Sequence, residues 1–183
     1  MSLLTLKSLA SSSDDELFVL LGKELGRRVP APRDSPEFLH QIQQLPVGLR
    51  AMAATYELDV SLALDDLGWH FGNWHDEALA EETAHGLEVL GASELARIFR
   101  EALRLALGYW SELGGKNWTQ WYAGSPLEQA AQPWNDLAWK FLDQYQNGIF
   151  HFWVDYARNH PNGVGVITGP LVSSAQFSLI VIK

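Results

Sequence analysis

The sequence contains no cysteine, which excludes disulfide bonds, cysteine nucleophiles and zinc sites with cysteine ligands. It has no apolar run of the roughly 18 residues that a membrane-spanning helix needs, and its N-terminal stretch is too weakly apolar for a secretory signal. We therefore expect a cytoplasmic protein without membrane association. Phosphate-binding loops, G-x-G-x-x-G and G-x-S-x-G are also missing, so neither a catalytic residue nor a cofactor is predicted.

Positive charge is scarce throughout the chain. The 183 residues include 13 Lys and Arg against 22 Asp and Glu, and the net charge is −9. Such a charge opposes direct binding to the phosphate backbone of a nucleic acid, which requires clustered Lys and Arg. It suits a protein partner with a basic surface.

The shortage of basic residues is complete between positions 51 and 96, where ten carboxylates occur without a single Lys or Arg. One interpretation is a pair of amphipathic helices with solvated acidic faces. Against it, ordinary surface helices mix charges of both signs. The other interpretation is a negatively charged helical face that binds a basic protein partner. Apart from Glu94, these carboxylates are the candidate binding residues: Glu57, Asp59, Asp65, Asp66, Asp76, Glu77, Glu81, Glu82 and Glu88.

Hydrophobic periodicity predicts an all-α, single-domain bundle of about seven helices over residues 1–163. Capping sequences at Ser13 and Ser125 indicate where two of the helices begin. A third helix is predicted at residues 47–67, because apolar side chains recur there on one helical face. A fourth is predicted at residues 76–90.

Glycine and proline predict the interruptions between helices. We expect an irregular turn over residues 69–74, a loop over residues 116–124 and a break at Pro133. Aromatic side chains in the predicted loop could stack on a sugar or another ligand, because burial there is not automatic. These side chains are Trp118, Trp121 and Tyr122.

The last segment, residues 164–183, changes character and is rich in β-branched and apolar residues. It predicts a short β-like hairpin or an extended tail. An uncovered stretch of this composition would be prone to aggregation. We therefore expect it to be covered within this chain or by a second copy, which would give a homo-oligomer.

A metal-dependent helical-bundle enzyme is the alternative function. Di-iron bundles bind their metals through two Glu-x-x-His pairs and further glutamates, all facing inward. The sequence has such pairs at Glu37–His40 and Glu82–His85, with Glu57 between them.

Several short pieces of the sequence resemble an uncharacterised bacterial helical domain family whose best-known member is a DNA-mimic protein. The resemblance covers about half of the chain. It implies an all-helical fold without established enzymatic activity, and an acidic surface that can occupy a DNA-binding protein as DNA would. The pieces are Tyr56 to Val60 leading into Phe71-Gly72-Asn73, the end of an acidic helix at Leu87 to Ala92, a helix with Ala96, Ile98 and Ala102, Leu142-Asp143, and His160-Pro161.

Overall fold

The computed structural model describes residues 2–166 of the chain, and within this range it contains eleven α-helices, one 3-10 helix and no strand. The all-α prediction is therefore confirmed. The predicted number of about seven helices is too low because the chain also forms four short helices of four to seven residues. Such single turns leave little periodic signal in a sequence.

The elements follow one another along the chain with short connections. They are α1 (Leu6–Ser11), α2 (Asp14–Arg28), α3 (Pro36–Gln43), α4 (Val47–Leu64), α5 (Leu67–Asn73), α6 (Glu77–Val89), α7 (Ser93–Leu107), α8 (Trp110–Leu113), α9 (Trp118–Tyr122), α10 (Pro126–Leu142), α11 (Ile149–Asn159) and a 3-10 helix (Pro161–Val164).

Both predicted capping sequences form as expected. The Ser13 hydroxyl accepts a hydrogen bond from the Glu16 amide at 3.3 Å, and the Glu16 carboxylate accepts one from the Ser13 amide at 2.9 Å. At the start of α10, Ser125 accepts from the Glu128 amide at 3.1 Å. These bonds satisfy amides that have no partner inside their own helix.

The three predicted interruptions are wrong. Residues 69–74 fall largely in α5, and the predicted loop over residues 116–124 contains α9. The glycines of α5 do not break the helix but permit close contacts, since a side chain at Gly68 would overlap Tyr122 and one at Gly72 would overlap Trp118. Pro133 lies inside α10 without ending it. Its ring is exposed, so the backbone carbonyl that loses its helical partner there can be hydrated.

Helix α4 lies at the centre of the bundle and contacts α2, α3, α5, α6 and α11. Ten of its residues are buried, including Leu49, Met52 and Leu58. The α4–α6 contact is especially close, because a Cβ atom placed at Gly86 would lie 3.0 Å from the Ala51 carbonyl oxygen. On its other side α6 packs against α7, which in turn packs against α10.

The C-terminal part of the described chain belongs to the helical bundle. Val164 was predicted to begin a β-like tail, but it is the last residue of the 3-10 helix and is buried with Val166 in the core. The remainder of the predicted tail, residues 167–183, lies outside the described residues. Among residues 2–166, no helix is both long enough and apolar enough to cross a membrane.

The close α4–α6 contact leads to a test of packing. Gly86→Leu should lower the free energy of unfolding by about 1–3 kcal/mol, because the new side chain must push two backbones apart. Gly22→Leu is the matched control, because a Cβ atom at this mid-helix glycine of α2 meets nothing within 4 Å. Urea denaturation measures both, and equal stability of the two variants would contradict the proposed contact.

Candidate functional site

The structure divides the predicted acidic face into carboxylates with a structural role and carboxylates that face solvent. Glu82 belongs to the first group and is only 8% exposed. It accepts two hydrogen bonds from Arg50, one from Nε at 2.6 Å and one from Nη2, and thereby joins α6 to α4. A guanidinium that binds both carboxylate oxygens satisfies a charge that would be costly to bury alone.

Asp66 and Asp76 cap the N-termini of α5 and α6. Asp66 accepts from the Trp69 amide at 2.9 Å, and Asp76 accepts from the Leu79 amide at 3.0 Å. Asp66 also accepts from the Tyr122 hydroxyl at 3.0 Å, which ties α5 to α9. Burial raises the pKa of Asp66, and these hydrogen bonds act in the opposite direction.

Glu57 and Asp59 lie on α4 and are half-buried. Asp59 accepts a hydrogen bond from the first amide of α11, at Ile149, over 2.8 Å. Glu57 forms an ion pair of 2.8 Å with Arg33 of the loop between α2 and α3. Burial raises the pKa of both carboxyl groups. Asp59 therefore has a structural task, whereas Glu57 still borders an open groove.

Basic residues of α7 neutralise the far end of the acidic segment. Arg100 pairs with Glu88, and Arg97 pairs with Glu94 at 2.7 Å. The sequence places these arginines just after the acidic segment, and the fold brings α7 alongside α6. The absence of Lys and Arg between residues 51 and 96 thus does not leave the whole surface uncompensated.

The carboxylates that remain are exposed and form no ion pair within residues 2–166. Among the predicted binding residues they are Asp65, Glu77, Glu81 and also Asp76, which caps α6 as well. Glu77 and Glu81 are one turn apart on α6 and face solvent. Asp65 and Asp76 instead border a groove.

Three parts of the chain form this groove: the loop before α3, the C-terminal half of α4, and the turn between α5 and α6. The wider end has a volume of about 530 Å³, and the adjoining end has a volume of about 280 Å³. We call this region the acidic groove. Its carboxylates are Asp34, Glu57, Asp65 and Asp76, and its basic side chain is Arg33.

Apolar side chains lie between these charges. Leu64 is 76% exposed and Val60 is 36% exposed, both on α4. Trp74, directly after α5, borders both ends of the groove and is half-buried. An exposed leucine beside a tryptophan, surrounded by charged groups, is the usual composition of a protein-binding surface.

Asp34 was not among the predicted binding residues. It stands alone between Arg33 and Ser35 in a proline-containing loop, and nothing in that local sequence indicates which surface the loop reaches. Trp74 was assigned to an irregular turn, which is close to its actual position at the end of α5.

The two Glu-x-x-His pairs do not form one metal site. Within the described residues, no group of three or more His, Asp or Glu side chains could hold a metal ion. Glu82 is bound to Arg50, while Glu37 and His40 are exposed on α3. The bundle therefore does not turn both pairs inward as a di-iron site requires.

Several of the remaining aromatic and histidine candidates contribute to packing, although Trp118 and Trp121 are half-buried and not fully buried. Tyr122 is fully buried, and Trp118 packs edge-on against Trp69 with the ring centroids 4.9 Å apart. His70 is buried with its Nδ1 atom 3.0 Å from the Ser61 hydroxyl, and burial lowers the pKa of His70 to about 3. His75 stacks on Trp110. These rings are thus engaged in packing.

A family model described as DMP19-like protein matches residues 43–160. The chain belongs to the DMP19-like protein family. This confirms the resemblance inferred from the sequence and extends it to about two thirds of the chain. Neither a curated protein nor a solved structure matches the chain.

The DMP19-like match runs from the last residue of α3 to the end of α11. It includes most of the acidic groove, with Glu57, Leu64 and Trp74. Arg33 and Asp34 lie before the matched region. The groove thus combines the DMP19-like bundle with a loop that the family model does not cover.

Two neighbouring carboxylates provide a test of the distinction between structural and solvent-facing carboxylates. Glu82→Gln should lower the free energy of unfolding by roughly 2–3 kcal/mol, because Arg50 loses its partner, although partial exposure of Arg50 reduces the cost. Glu81→Gln is the matched control and should change it by less than about 0.5 kcal/mol. Chemical denaturation distinguishes the two. A similar stability for both variants would mean that the buried ion pair is unimportant to the fold.

Proposed function

We propose that this protein is a non-enzymatic binding protein whose acidic groove engages the basic surface of a DNA-binding protein. One observation carries the proposal. The carboxylates of Asp34, Asp65 and Asp76 line the same groove as the exposed Leu64 and the half-buried Trp74, and none of these carboxylates is in an ion pair within residues 2–166.

Membership in the DMP19-like family supports a DNA-mimic role. In such a role, carboxylates occupy the partner sites that normally bind DNA phosphates. Protein side chains that bind phosphate are mostly Arg and Lys, which also bind carboxylates. A net charge of −9 favours encounter with such a partner.

The binding surface proposed here contains fewer carboxylates than the nine predicted from the sequence. Glu82, Asp59 and Asp66 bind groups within the fold, and Glu88 is paired with Arg100. Removing the charge of any of these side chains would disturb the fold or a local ion pair before it affected a partner. Glu77 and Glu81 are exposed and extend the negative surface along α6.

The two kinds of side chain in the groove would contribute differently to binding. Exposed carboxylates mainly accelerate association and select a basic partner. Buried apolar anchors supply most of the affinity in a protein interface. Leu64 and Trp74 are the anchors available in this groove.

The charge contribution can be tested by replacing the three carboxylates that surround the apolar centre. The variant Asp34→Asn, Asp65→Asn, Asp76→Asn keeps a helix-capping side chain at position 76. The immobilised wild-type chain should capture DNA-binding proteins from a bacterial lysate, and a double-stranded oligonucleotide should release them. For each purified partner, calorimetry should show binding that is lost in this variant and weakens with salt, since exposed charges are screened over roughly 10 Å at 0.1 M.

The matched control removes the same number of charges outside the groove. It combines Asp136→Asn, Asp143→Asn and Asp155→Asn, all exposed positions on or beside α10 and α11. This variant should bind the purified partner nearly as well as wild type. Equal weakening in both variants would show that only net charge matters and would refute the groove as the binding site.

The apolar contribution has a separate test at Leu64. Leu64→Ser should weaken partner binding roughly tenfold, while changing the free energy of unfolding by less than about 0.5 kcal/mol. Leu6→Ser is the matched control, because Leu6 is 48% exposed on α1, away from the groove. Unchanged affinity in the Leu64 variant would exclude it as an anchor.

A further inference from the structure

A second cavity lies beside α2, separate from the centre of the acidic groove. Its volume is about 300 Å³, which is at the lower end of the range for small-molecule sites. Residues of α2, α3, α4 and the α2–α3 loop form its walls. None of the proposed partner-binding carboxylates lines it.

The charged side chains that line this cavity are cationic, although the protein as a whole is negatively charged. Its lining includes two cations, Lys23 and Arg33, and no carboxylate. Lys23 forms no ion pair among the described residues. Arg33 pairs with Glu57, which is outside the lining, so within residues 2–166 Lys23 is the unpaired cation that would favour an anionic ligand over a cation.

Arg33 is held in position before any ligand arrives. Its guanidinium lies 4.0 Å from the centre of the Tyr56 ring, and its Nε atom pairs with Glu57 at 2.8 Å. Its Nη1 atom is buried and has no hydrogen-bond acceptor within residues 2–166. A guanidinium fixed in this way loses little conformational entropy when it interacts with an anion.

Aromatic and aliphatic side chains line the cavity together with two glycines. Phe18, Phe38 and Tyr56 contribute rings. A Cβ atom at Gly22 or Gly26 of α2 would meet nothing within 4 Å, so the missing side chains of these glycines leave space. At about 30 Å³ for each water-sized group, the cavity has room for roughly ten non-hydrogen atoms.

We propose that this cavity binds a small aromatic carboxylate. The aromatic walls would contact the ring of the ligand, and Lys23 and Arg33 would attract its carboxylate. The site lies beyond the proposed protein-binding role, and it does not depend on the identity of the protein partner.

Calorimetric titration of the full chain with 3-phenylpropionate tests the proposal. The neutral analogue 3-phenylpropionamide has nearly the same shape and serves as the ligand control. We expect measurable binding of the carboxylate and binding at least about tenfold weaker for the amide. Equal binding of the two, or no binding of 3-phenylpropionate at millimolar concentration, would overturn the proposal.

Two variants locate the ligand in this cavity. Gly22→Leu fills it and should abolish binding, while circular dichroism and urea denaturation verify that the variant is folded. Lys23→Gln should weaken the carboxylate roughly threefold to fivefold and leave the amide unchanged. Lys140→Gln, at an exposed position on α10, is the matched charge control. Wild-type affinity in folded Gly22→Leu, or equal effects of the two lysine variants, would refute the proposed site.

Discussion

The burial of α4 is the constraint on which the rest of the structure depends. A helix surrounded by five others cannot keep a charged side chain unless another part of the chain supplies a partner. Arg50 binds Glu82 on α6, and Asp59 accepts a hydrogen bond from the first amide of α11. Glu57 pairs with Arg33 in the loop between α2 and α3. Each of these three charged side chains of α4 therefore also connects the helix to a neighbouring element.

Because of this constraint, the excess of carboxylates between residues 51 and 96 predicted only part of the exposed acidic surface. Helical periodicity indicates which residues share a face of one helix, but it does not indicate which other element covers that face. Glu81 and Glu82 are adjacent in sequence, yet one is exposed and the other is almost fully buried. The difference comes from the close approach of α6 to α4 at Gly86, which is a tertiary contact.

Local signals in the sequence were reliable wherever the structure depends on local hydrogen bonds. The capping bonds of Ser13 and Ser125 involve residues three positions apart and could be predicted. Gly68 and Gly72 were misread because glycine commonly ends a helix. In α5 they are required by the rings of Tyr122 and Trp118, which come from a distant part of the chain. The position of Asp34 in the groove could not be predicted either, because it also depends on contacts between distant parts of the chain. Asp34 borders the groove only because its loop lies next to α4 and the end of α5.

Arg33 connects the two parts of the molecule that carry the functional arguments. It borders both the acidic groove and the cavity beside α2, and Tyr56 and Glu57 hold it between them. Its positive charge is paired with the carboxylate of Glu57. On the groove side it compensates one of four carboxylates, and the other three form no ion pair within residues 2–166. On the cavity side, Arg33 and Lys23 are the charged lining residues. One residue in a loop outside the DMP19-like match thus borders both the groove proposed to bind a basic protein and the cavity proposed to bind a small anion.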